Sequence, residues 1–162
     1  MDPVQPDPER DETDTERLDR NFDELLQELR VTQTGVQILA GFLLTIPFQQ
    51  RFTTLDDIQR NAFLVALAAA VVATALLVAP VSAHRLLFRR HAKRELVTFA
   101  DRAAMSGLVA LAVSMTAAVF LIFDVVVGRG AALGAAALAL LLFAVNWVAL
   151  PLVVRARLTR SG

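Results

Sequence analysis

Four stretches without a charged side chain, residues 31–50, 62–83, 103–123 and 130–154, constrain this chain more than any other feature. They run for 20, 22, 21 and 25 residues and together occupy more than half of the 162 positions. A helix rises about 1.5 Å per residue and needs about 20 apolar residues to cross the roughly 30 Å hydrocarbon layer. Each run is long enough for one crossing, and too little chain is left over for a soluble catalytic domain. In lipid the peptide groups have no water to bond, so each run must satisfy its own as a helix. The fold class this predicts is all-α: a transmembrane four-helix bundle over residues 31–155, with spans at about 31–50, 62–83, 103–127 and 130–154.

Composition narrows the function. Hydrophobic residues make up 56% of the chain and its mean hydropathy is +0.53, which excludes a disordered protein and argues against an ordinary soluble domain. Cysteine is absent, which removes disulfides, thiolate nucleophiles and cysteine metal sites. Tyrosine is absent too, so any aromatic belt rests on ten phenylalanines and Trp147. The first thirty residues are strongly polar and hold no apolar core of a secretory signal. The first span is therefore expected to direct insertion.

Charge sets the expected orientation. With four spans both termini share a side, and that side carries thirteen of the sixteen basic residues, six of them between His84 and Arg102. The positive-inside rule then places both termini in the cytoplasm of a multi-pass plasma-membrane protein.

Residues 1–12 hold three of the six prolines and read as a disordered acidic tail. From residue 13 to 30 the pattern changes. Thr13 with Glu16 fits a capping box, and Leu18, Phe22, Leu25, Leu26 and Leu29 recur at helical spacing among acidic residues. An N-terminal cytoplasmic amphipathic helix is predicted there. Pro47 closes the first span, Thr54 with Asp57 is read as the cap of the second helix, and Pro80 should bend that helix near its far end. Gly128-Arg129-Gly130 forms a tight turn that makes the last two spans an antiparallel hairpin, and Gly130 with Gly134 starts a small-residue face suited to helix contact. Residues 156–162 form a basic tail.

Few residues inside the spans carry chemistry. Gln33, Gln37, Ser106 and Asn146 are candidates for a polar intramembrane cluster, and Gln37 and Asn146 both fall in the cytoplasmic half, where they could meet. Such amides join helices by hydrogen bonds averaging about 0.6 kcal/mol, or line a polar path. Asp124 is the one carboxylate inside a span; it either couples an ion or pairs with Arg129 near the outer surface. His84 and His91 lie seven residues apart, so on a helix they do not converge on one metal ion. No catalytic triad order, phosphate-binding loop, dinucleotide glycine pattern or HExxH occurs, and neither an enzyme nor a cofactor is expected.

The cations Arg85, Arg89, Arg90, Lys93 and Arg94 sit together beyond the second span, where each attracts anionic lipid by about 1 kcal/mol. The tail up to Arg30 carries a net charge of −7, and it either folds back over this basic surface or only solubilises the exposed helix. The partners expected are a bilayer with anionic lipid at its cytoplasmic face and either a second copy or another membrane protein; nucleic acid is not among them.

The stretch from Glu28 to Phe48, ELRVTQTGVQILAGFLLTIPF, followed by Arg51-Phe52 and by the APVSAHR run that starts at Ala79, resembles a family of small bacterial four-span membrane proteins of unassigned function. The resemblance covers roughly Leu25 to Arg155. Some members carry a sodium/proton antiporter label, so what the resemblance implies is a membrane protein with transport as one reading. The residues themselves favour a scaffold, regulator or accessory subunit, with a small oligomeric transporter as the competing class.

Overall fold

The computed structural model describes residues 14–87 and 93–158, and they are helical apart from short connections. Helix α1 covers Asp14–Thr45, α2 Asp57–Leu87, α3 Lys93–Val126, α4 Arg129–Ala144 and α5 Leu150–Leu158. Two short 3-10 turns, Ile46–Phe48 and Gln50–Thr54, join α1 to α2, and a wide π turn, Val145–Ala149, joins α4 to α5. Four stretches are long and apolar enough to cross a membrane: Leu26–Phe48, Asp57–Ala83, Thr98–Val126 and Arg129–Val153. The last of these is α4, the π turn and the start of α5. The fourfold arrangement matches the four uncharged runs, although the first three spans each begin five residues earlier than those runs.

Helix α1 passes from its acidic part into the first span without a break. No glycine, proline or cap interrupts the chain around residue 30. Instead the Thr32 and Thr34 hydroxyls donate to the carbonyls of Glu28 and Arg30, one turn back, and the ladder continues. The helix ends at Pro47, which has no N–H to donate. The expected tail of residues 1–12 and the cap at Thr13 lie outside the described residues.

The cap of α2 differs from the expected Thr54–Asp57 pair. The Gln59 N–H donates to Asp56 Oδ1 at 2.8 Å and the Asp56 N–H donates to Gln59 Oε1 at 3.1 Å, a reciprocal capping box two residues later. Thr54 instead closes its own 3-10 turn by donating to the Arg51 carbonyl.

Packing follows a seven-residue period. Leu29, Val36 and Leu43 are the buried row of α1; Phe63, Ala66, Ala70, Ala73, Leu77 and Pro80 alternate steps of three and four along α2; Ala100, Gly107, Ser114 and Leu121 line α3. A sustained period of 3.5 residues is the signature of a coiled-coil seam. Small residues dominate on α2 and α3, and that lets their backbones approach, the usual basis of helix association where lipid removes any hydrophobic drive. At Gly107 the Leu77 side chain fills the space beside the glycine, so that a Cβ there would lie 2.8 Å from Leu77 Cγ.

Helices α1 and α3 pack on α2, and α4 packs on α3 alone among the described residues. Among the described residues α1 and α4 do not pack on each other, so α4 stands at the edge of the array beyond α3. Replacing Gly107 by alanine should cost about 1–3 kcal/mol by overpacking against buried Leu77. Gly35→Ala, where nothing lies within 4 Å of the added Cβ, should unfold at or above the parent temperature. Thermal melts in detergent that fail to separate the two variants would contradict the close approach.

Candidate functional site

The polar centre of the molecule lies where α3 turns into α4. Gly128 adopts φ +117°, a conformation side chains disfavour, and its N–H donates back to the Phe123 carbonyl at 3.0 Å. This reversal swings Arg129 over the last turns of α3. Its Nε donates to Asp124 Oδ1 at 2.8 Å and its Nη2 to Asp124 Oδ2 at 2.9 Å, a bidentate clamp. The same Nη2 donates to Asp56 Oδ2 at 2.9 Å, so one guanidinium ties the cap of α2 to both arms of the hairpin. The Asp124 side chain is 3% exposed and that of Arg129 37%. Phe120 supports the guanidinium, whose Cζ stands 5.8 Å from the ring centre.

A carboxylate near the C-terminus of α3 and a cation at the N-terminus of α4 each oppose the local helix dipole. Neither charge is therefore explained by its own helix end. Their pairing across the turn is what accommodates them, and it makes Asp124 an occupied group with both oxygens engaged. Beside this clamp, Arg51 Nη2 donates to the Val125 carbonyl at 3.3 Å. Arg51 also borders an open apolar groove of about 200 Å³ formed by Ile46, Phe52, Leu55, Leu121 and Val125.

The four members of the expected polar cluster are not brought together. Gln33 Nε2 donates to the Leu77 carbonyl of α2 at 2.6 Å. Gln37 and Ser106 are exposed. Asn146 is exposed in the π turn and donates from Nδ2 to the Leu142 carbonyl of its own helix at 2.9 Å. Gln37 and Asn146 are not neighbours: among the described residues α1 and α4 do not pack on each other. Arg85 lies in α2 and Lys93 and Arg94 in α3, with their side chains outside the described ones; Arg89, Arg90 and His91 lie outside the described residues altogether.

The family of the chain follows from residues 11–151, which match a family model described as a family of unknown function, DUF6328. The chain belongs to this family. No curated protein and no solved structure matches it.

Sequence reasoning on this DUF6328 chain missed Asp56, which both caps α2 and receives Arg129. The signal was present as Asp56-x-x-Gln59, a capping pattern whose acid stands one residue before the one chosen. It also passed over Ser114, whose buried hydroxyl donates to the Ala66 carbonyl at 2.7 Å and pins α3 to α2. Replacing Arg129 by glutamine leaves a buried carboxylate without its cation, whereas removing both charges is the milder change. The R129Q variant should melt below the D124N/R129Q double variant in detergent; the opposite order would mean that the clamp does not hold the hairpin.

Proposed function

We propose that the protein is a non-enzymatic scaffold or accessory subunit of the plasma membrane, with both termini cytoplasmic, that works through its helix surfaces and through anionic lipid. The observation that carries this reading is the fourth span. Its most apolar window has 0% of its residues buried within the chain, against 28% for the second span. That window leaves its surface available to other partners. The charge distribution, thirteen basic residues on the side of the termini against three on the other, supports the orientation. The basic residues 85–94 supply the contact with anionic headgroups.

The antiporter label attached to similar proteins points to a transporter as the second reading, with Asp124 as its ion-coupling group. A coupling carboxylate must exchange its ligand, and Asp124 gives both oxygens to Arg129, at 2.8 and 2.9 Å. That favours the scaffold. Purified protein in liposomes with a pH or sodium gradient should show no exchange above protein-free vesicles, and D124N should be indistinguishable from the parent. Protein-dependent exchange abolished by D124N would establish the transporter instead.

A further inference from the structure

Two amides of the spans face outward on the two outer members of the helix array. Gln37 on α1 is exposed and makes no hydrogen bond to another described residue. Asn146 on the fourth span uses its N–H on its own helix, and its carbonyl oxygen has no donor among the described residues. Hydrocarbon supplies no hydrogen-bond partner to either. Moreover, among the described residues the π turn and α5 touch only each other and α4, so the half of the span that carries Asn146 has no tertiary neighbour.

The backbone positions of the two amides differ in depth by about 7 Å, an offset that their side chains reduce. Leu43 packs in one cluster with Phe63, six residues along α2 from Asp57, and Gln37 is six residues further from Leu43, which puts it about 18 Å below the start of α2. Arg129, which reaches Asp56, marks the same level on α4, and Asn146 is seventeen residues on, about 25 Å below it. Side chains lean toward the N-terminus of their own helix. Because α1 and α4 run in opposite directions, Gln37 leans deeper and Asn146 leans back, which narrows the difference.

We propose that a second copy of this chain covers these faces: α1 of one protomer packs against the fourth span of the next, and Gln37 bonds Asn146 between protomers. The contact is head-to-tail, so each copy keeps one free α1 face and one free fourth-span face, and repetition closes a ring or extends a chain. It rests on the scaffold reading and names its partner. Exposed Gly41, with nothing within 4 Å of an added Cβ, leaves room for the neighbouring helix one turn from Gln37.

The absence of native cysteine makes the test direct. Gly41 and Leu142 are exposed and each lies one turn toward the hairpin end from its amide, so G41C and L142C keep both amides intact. When the two single variants are co-expressed with different tags and treated in membranes with a short bismaleimide, links between the two tags should form. Neither variant alone should link, and the G41C/L142C double variant should give a ladder of multiples. Adding Q37L to G41C should lower the yield several-fold while helical content by circular dichroism is kept. Links only between like positions, no link between copies, or a yield untouched by Q37L would each overturn the proposal. None of these outcomes depends on the liposome flux measurement, which alone decides between scaffold and transporter.

Discussion

Inside a bilayer a polar group is satisfied by protein or not at all, and α2 is where this chain meets that requirement. Two of its carbonyls accept side chains from the neighbouring spans: Ala66 from Ser114 of α3 and Leu77 from Gln33 of α1. The second bond falls beside a break in the helix ladder. Pro80 has no N–H for the Leu76 carbonyl, and its ring opens the turn that also holds Leu77. Gln33 supplies a donor from outside at 2.6 Å, in the turn that the proline weakens. A helix that would otherwise be weakened near one end is thereby tied to α1, and the same level holds the tight contact between Leu77 and Gly107 of α3. Three spans converge on one turn of α2.

The rest of the packing depends on size more than on polarity. Burial of Ala66, Ala70 and Ala73 on α2 against Ala104, Gly107 and Ser114 of α3 brings backbones close, so dispersion is gained over many short contacts. Helix α1 contributes larger residues, Leu29, Val36 and Leu43, because it lies against a surface of alanines that leaves room for them. Phe52 from the connecting turn closes the hairpin end of this core edge-to-face on Phe63, with ring centres 5.2 Å apart.

The four spans were legible in the sequence because charge is excluded from lipid and run length maps onto membrane thickness. Asp124 with Arg129 was legible as a pair, since a five-residue separation across a glycine turn leaves little choice of partner. The packing faces were not. In spans apolar all round, hydropathy does not distinguish the side that meets protein from the side that meets lipid, so the seven-residue rows of small residues are visible only when size is tracked in place of polarity. Whether Gln37 neighbours Asn146 was not legible either, for a related reason. Depth is readable from position along a span, whereas the order of helices around an array depends on which flanks fit. Here α3 separates α4 from the α1–α2 pair.

That order gives the fourth span its character. At the hairpin end it is held firmly: Arg129 is locked to Asp124 and Asp56, and Ala132 is fully buried against α3. Toward the other end the constraints fall away. Pro151 cannot donate to the Trp147 carbonyl, the turn before it widens so that the Leu150 N–H donates to Val145, and no other described element lies alongside. The departure from regular helix thus falls in the half without neighbours, where a change of direction displaces nothing. A span fixed at one end and unsupported at the other is costly to keep for one chain's own stability, since it buries nothing there in return. It becomes intelligible when the unsupported half is completed by another helix, because the widened turn then adjusts the angle at which that helix is met while the clamp at the far end keeps the fold unchanged.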